Sequence, residues 1–446
     1  MNRRKRFVLY GLLLLSMMLV SCKSEQPVIE TSAIKGGTSA PMGGANEPAH
    51  DEDALRFRIT WKAYSGRGEA IQRIVDEYNR QVDKKVILES GDEDIETIEA
   101  QLKGGSETVF VLPYRFVKYF GDKGLLEGLT AEFAAERVLF YDAVWALGTV
   151  DKSTYGIPWL GHSMCLLYNK RLLEKAGVKP ESIRDMASFV EAVALVKEKT
   201  GAGGLGLVGK ESNDVSWMVN QFIYGYGSSL VSEDGKTVTI NNEKSAEALK
   251  VYRDVLGPYA QPGWEDDTAV EVMTCFRDQQ VAFEILGIWG VTDIIKNGAP
   301  FETGILPLKK IGLSSEVGPM MLVLPRGMSG RGKQAALDFI RYMISKPAQE
   351  EIMKGEYSPE HDAYYPFRTP IRMDMTSSQI FRIHPEYQAF IEGFETPSVD
   401  VPVPRWQAIK DEVYAPGLHE VMRGKLSIES FLDVVEERGN EILKGR

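Results

Sequence analysis

Between Tyr155 and Val178 the chain reads YGIPWLGHSMCLLYNKRLLEKAGV, and no other stretch limits the possible folds as sharply. Pro158 lacks an amide donor and biases Ile157 toward extended backbone, so the segment after Gly156 reads as a strand. Gly161 interrupts it, and a second apolar run from Met164 to Tyr168 follows. Leu172, Leu173 and Ala176 then share one face of a helix that Gly177 closes. A strand that leaves one body, flexes at a small residue and continues as a strand of another is how a hinge looks in sequence.

The rest of the pattern is α/β. Leu55 to Trp61 alternates as a half-buried strand, and Ile71, Ile74, Val75 and Tyr78 form a helical stripe. Val86-Ile87-Leu88 is the next strand, Ile95, Ile98 and Leu102 mark a shorter helix, and Thr108 to Pro113 reads as a buried strand. This β-α-β-α-β rhythm implies a parallel, helix-covered sheet. Its loops beyond the strand carboxyl ends would put Tyr64 to Arg67 and Pro113 to Arg115 on one rim. Past the hinge, Ser182 and Asp185 suggest a capping box for a helix bearing Val190, Val193 and Val196. A strand follows from Leu205 to Val208, then a helix from Ser212, and a small hairpin joins Leu230-Val231 to Val238-Thr239-Ile240. With 446 residues the chain is long enough for two substantial cores.

Net charge is −11, which argues against nucleic acid, whose phosphates demand clustered Lys and Arg. Catalytic spacings fail one by one. Gly161-His162-Ser163-Met164-Cys165 has cysteine where a nucleophile elbow needs its second glycine. Gly201-Ala202-Gly203-Gly204-Leu205-Gly206 fits G-x-G-x-x-G but follows a helix and precedes a strand, the reverse of a pyrophosphate cradle. His419-Glu420 is followed by Arg423 where a zinc helix needs histidine. No metal or cofactor is expected.

Several motifs in order carry a resemblance. Y-G-I-P, then L-Y-N-K-R-L-L-E-K-A-G-V and a helix beginning near Pro180-Glu181-Ser182, are similar to the extracellular solute-binding proteins of bacterial ABC importers, sugar-binding branch. Glu284-Ile285-Leu286-Gly287-Ile288-Trp289-Gly290 resembles that family's Gly-x-Trp ligand loop at the end of a strand. The tail from Trp406 through Gly424-Lys425-Leu426-Ser427 to Ile442 resembles its closing helices. The resemblance implies a two-lobed, periplasmic-binding-protein-like α/β fold of type II, each lobe a helix-flanked sheet, the lobes joined by hinge crossovers. Lobe I would hold residues 55–161 and 319–360, and lobe II residues 162–318 and 361–446. Gly161 and Gly318 would be hinges, with a third crossover between Glu356 and Pro370.

The N-terminus asks for a membrane. Arg3, Arg4, Lys5 and Arg6 precede an apolar segment from Phe7 to Val20, too short to span a bilayer and shaped as a signal peptide over residues 1–21. Leu19-Val20-Ser21-Cys22 resembles the lipobox of bacterial lipoproteins, which makes Cys22 the lipidated residue. Residues 22–54 show no hydrophobic periodicity and read as a flexible tether, spanning roughly 30 Å.

Sugar rings present apolar C–H faces and hydroxyls, so a sugar site wants flat aromatic rings and polar side chains that bond bidentately. Of seven tryptophans, Trp289 is the strongest candidate, followed by Trp406 and Trp159, while Trp217, Trp264, Trp61 and Trp145 read as core or scaffold. Tyr64, Arg67, Tyr114, Arg115 and Arg368 are the polar candidates on the expected rims. The resemblance implies no catalysis, a sugar ligand (an oligosaccharide), ABC permease transmembrane subunits as partners, attachment to the membrane through the N-terminal lipid, and a monomer. Alternatives are the same fold holding a non-sugar solute such as a polyamine, a glycerophosphodiester or a peptide, a surface lipoprotein hydrolase, and a sensory accessory of a membrane kinase.

Overall fold

The alternation of the first strand sets up the first sheet. Leu55, Phe57 and Ile59 are buried on one face, while Arg56 and Arg58 on the other both reach Glu89 of the parallel strand Val86–Ser90, Arg58 Nη2 at 2.7 Å. In the computed structural model, which describes residues 53–445 except 61–65, 92–93, 106, 298–300, 400, 402 and 404, this is one strand of a six-stranded sheet. The order is Thr369–Pro370, Ile157–Gly161, Met320–Val323, Thr108–Pro113, Leu55–Ile59 and Val86–Ser90. The expected signal peptide, Cys22, nearly all of the tether and Tyr64 lie outside the described residues.

Both faces of this sheet are covered, which is why Thr108–Pro113 is buried throughout, with an apolar run from Val109 onward rather than an alternation. Val109, Val111 and Leu322 pack into one core with Trp159 and Phe339, and Phe110, Leu112, Met321 and Val323 into another with Val117 and Phe120.

The second sheet has four strands, in the order Thr303–Pro307, Cys165–Asn169, Val281–Leu286 and Gly203–Leu205. Cys165–Asn169 runs antiparallel to both neighbours. Leu166 and Tyr168 enter a core with Phe283 and Trp406, and Cys165 and Leu167 enter one with Phe276 and Ile391. At the strand's end Asn169 accepts from the Leu172 amide at 3.1 Å and starts the expected helix, which stops at Gly177 with φ 71°. Cys165 and Cys275 are free thiols.

The chain crosses between the sheets through His162, Ser163 and Met164, and returns through Val317, Gly318 and Pro319. These crossings are bonded to each other. Gly318 N donates to His162 O at 3.2 Å, Met164 N donates to Glu316 O at 3.1 Å, and Ser163 bridges Val317. The Ser315 hydroxyl accepts from Met164 N and donates to Met164 O, both at 2.8 Å. A third segment joins them, since Ser315–Glu316 pairs in parallel with Pro397–Ser398 and the Ser163 hydroxyl donates to Phe390 O.

The structure differs from the sequence reading in five places. Thr369–Pro370 pairs with Gly161 and Leu160, so the first sheet keeps the chain beyond residue 360, where the second lobe was expected to resume. Glu356–Ser358 and Ala363–Tyr365 form a hairpin instead of a crossover. The strand expected at Leu205 to Val208 sits at Gly203–Leu205, and the expected hairpin near residue 235 is reduced to a bridge between Val231 and Val238. The capping box is Asp185 with Ser188, because the Asp185 carboxylate reaches the Ser188 amide at 2.8 Å while Ser182 closes a preceding 3-10 turn. Asp185→Ala should therefore lower the unfolding free energy by about 1 kcal/mol in urea titration, and Ser182→Ala by less than about 0.5 kcal/mol.

Candidate functional site

Strand directions decide which loops meet. Leu55–Ile59 and Thr108–Pro113 are parallel neighbours, and Ile157–Gly161 runs the same way because each of Thr108–Pro113 and Ile157–Gly161 is antiparallel to Met320–Val323. All three end at one rim of the first sheet. In the second sheet Val281–Leu286 ends beside the start of Cys165–Asn169, and Gly203–Leu205 runs parallel to it toward the same side. The short first crossing joins these two rims, so the carboxyl ends of both sheets open onto one region, the place where open α/β sheets bind ligands.

Val281–Leu286 ends there and the helix Ile288–Asn297 begins at once, which puts Trp289 in its first turn rather than in a loop. Its half-buried ring lines a cavity of about 270 Å³ together with Trp217, Met164, Met218, Gln221 and Glu284. His162 of the first crossing stands edge-on to Trp289, ring centroids 5.3 Å apart at 87°. His162 Nε2 lies 2.7 Å from Glu316 Oε2 in the second crossing. Arg368 places its guanidinium 5.7 Å from the Trp289 ring centroid. One turn on, the Thr292 hydroxyl donates to Pro366 O at 2.8 Å, and Lys296 Nζ is 5.8 Å from the Tyr365 ring centroid. Positions 289, 292 and 296 share one helix face, so one side of this helix meets the segment from Tyr365 to Arg368.

The electrostatics of the wall are unusual. Burial, reinforced by the Asp293 carboxylate and only partly offset by Arg277, pushes the Glu284 carboxyl well above the ordinary carboxylate range. Arg277 itself is engaged by Asp293 at 3.2 Å. The carboxyl of Asp214, which also lines the cavity, is raised too, chiefly by burial. Buried Lys410 holds its ammonium 5.7 Å from the Trp217 ring centroid.

Residues 62–350 match the family described as bacterial extracellular solute-binding protein. The chain belongs to that family. The maltodextrin-binding protein of Bacillus subtilis is 21% identical to this solute-binding protein over 307 residues, covering 68% of this chain and 71% of its own. Among solved structures, the GacH receptor of Streptomyces glaucescens, determined unliganded and with acarbose, has a TM-score of 0.67 and 22% identity over 88% of this chain and 98% of its own. The sugar-binding protein MalE of Xanthomonas citri has a TM-score of 0.72 at 18% identity, over 88% and 98%. At such identities the likeness carries the fold, which is the two-lobed one.

The solute-binding protein brings together only part of the expected site. Trp289 and Arg368 meet, and Gly161 and Gly318, the glycines expected as hinges, lie at the crossings. Arg67 lays its guanidinium 5.6 Å from the Phe367 ring centroid, next to Arg368. Arg115 covers the Phe116 ring at 4.9 Å. Tyr114 is buried in the core with Val117 and Phe120. Trp159 and Trp406 are corrected to core residues, 0% and 1% exposed, so neither offers a ring face to a ligand. Trp159 packs edge-on against Phe57 at 5.5 Å, and Trp406 packs at a tilt of 50° against Tyr414 at 5.7 Å. Trp217, which reads as scaffold in the sequence, and Glu284, the one charged residue in an apolar strand, also line this cavity. Trp406→Ala should cost about 3–5 kcal/mol of stability in chemical denaturation, whereas Trp289→Ala, half-buried on a cavity wall, should cost distinctly less.

Proposed function

We propose that this solute-binding protein is held to the outer face of the cytoplasmic membrane by a lipid on Cys22, captures a neutral oligosaccharide between its two lobes and hands it to an ABC permease as a monomer. The observation that carries the reading is the cavity at the facing rims, where Trp289 and Trp217 present half-buried indoles beside a few polar groups. Indole faces suit the C–H faces of sugar rings, and the sparse polar groups suit oriented hydroxyls. The maltodextrin-binding relative and the acarbose-bound receptor support the same ligand class.

Residues 55–161 and 319–370 form lobe I in this reading, and the crossings at Gly161 and Gly318 are the hinge. A ligand that touches both lobes stabilises the closed arrangement by the difference in its affinity for closed and open forms, and the permease recognises the closed shape. Capture and release need no covalent step.

Two measurements test this. In a thermal-shift screen of neutral oligosaccharides, a ligand present at 100 times its Kd should add about 2.7 kcal/mol of stability, and Trp289→Ala should abolish most of that gain; a flat response across the panel sinks the carbohydrate reading. In the producing cell the protein should fractionate with membranes, and Cys22→Ser should release it, with radiolabelled fatty acid incorporated only when Cys22 is present.

A further inference from the structure

Glu284 is the one charged residue of the strand Val281–Leu286, and it is 1% exposed. Its Oε2 has no hydrogen-bond partner among the described residues, and neither has Trp217 Nε1. Both residues line the same cavity. A buried polar atom without a partner is costly to the folded state, and such atoms are rare. Two in the wall of one cavity point to a guest that supplies what they lack. The neighbouring Gln221 is already committed, its Oε1 accepting from Glu316 N at 3.2 Å and its Nε2 standing 3.7 Å from Met218 Sδ.

The surroundings narrow the guest. Met164, Met218, Val272 and Leu286 make the rest of the wall largely apolar. Lys410 and Arg368 already set positive charge 5.7 Å from the Trp217 and Trp289 ring centroids, which disfavours a cationic guest between those indoles. About 270 Å³ falls below the roughly 300–1,000 Å³ of sites that hold a drug-sized molecule whole, so the space suits one ring of a larger ligand.

We propose that this cavity is a one-ring subsite in which the Glu284 carboxyl and the Trp217 N–H together bind a single hydroxyl of the ligand while the indoles of Trp217 and Trp289 cover its C–H faces. The inference rests on the carbohydrate reading and names the residues that select within it. Burial shifts Glu284 toward its neutral form, in which a carboxyl offers one donor and one acceptor, and a hydroxyl in the cavity answers both as well as the unpartnered Trp217 N–H. A sugar lacking that hydroxyl leaves the acid and the indole N–H unpaired and is rejected on that account.

Isothermal titration of the full-length protein and its variants with maltooligosaccharides, arabinooligosaccharides and monodeoxy analogues of the ligand bound best tests this. Glu284→Leu and Trp217→Phe should each weaken that ligand about tenfold or more. The monodeoxy analogue should lose a similar factor against wild type and little further against Glu284→Leu. Without ligand, Glu284→Leu should melt higher than wild type, since an unpaired acid leaves an apolar wall; an acid that merely supported Arg277 would melt lower when removed. Trp217→Phe keeps a ring and removes the N–H, so it carries the test by itself if Glu284→Leu does not fold. Affinity retained within threefold by the folded variants overturns the subsite and leaves the carbohydrate reading standing, whereas a wild-type protein that binds no member of the panel overturns both.

Discussion

The structure depends on how tightly the crossings between the sheets are tied to one another. Ser315 accepts from and donates to the backbone of Met164, Gly318 bonds His162, and Ser315–Glu316 takes Pro397–Ser398 as a parallel partner. Passing strands at this distance leaves no room for side chains. A Cβ on Gly318 would lie 2.1 Å from the His162 ring, and one on Gly393 2.7 Å from Ser163 Cβ. These glycines are explained by close approach rather than by loose backbone. Crossings tied together this way keep the two rims in register, which a set of independent flexible linkers would not do.

That register is what gives Trp289 its several neighbours. The strand Val281–Leu286 delivers it to the rim, the helix Ile288–Asn297 fixes its direction, and His162 from the crossing meets its ring edge. Farther along the same helix face, Thr292 and Lys296 meet the segment from Tyr365 to Pro366, which is continuous with the first sheet through Thr369–Pro370. Separating the two bodies would break the Thr292–Pro366 hydrogen bond and lift Arg368 from the indole. The cavity wall and the contacts between the bodies thus converge on one helix.

The sequence disclosed the architecture through two periodicities. Alternation in Leu55–Ile59, apolar runs from Val109 to Pro113 and from Cys165 to Tyr168, and the helix stop at Gly177 each report a local requirement that the fold then meets. What it left obscure were boundaries set by partners distant in the chain. Thr369–Pro370 is a strand only because Gly161 and Leu160 stand opposite, and a two-residue pairing has no periodicity to detect. The capping box slipped by three residues for a similar reason: Ser182 and Asp185 both suit an N-cap, and the 3-10 turn before Asp185 decides between them.

Site residues were harder to find because residue type is a weak guide when cores and sugar sites favour the same rings. Trp159 and Trp406 are as aromatic as Trp289, but Phe57 and Tyr414 enclose them. A sequence gives each ring's identity without saying which face is left open. Glu284 carries the opposite lesson. An acid inside an apolar strand contradicts the hydrophobic pattern, and a fold keeps such a contradiction only where something compensates it. The Arg277 guanidinium nearby is bound to Asp293, so the described residues supply no full compensation within the wall. The departure from pattern therefore singles out this cavity wall more sharply than the aromatic residues that conform to the pattern.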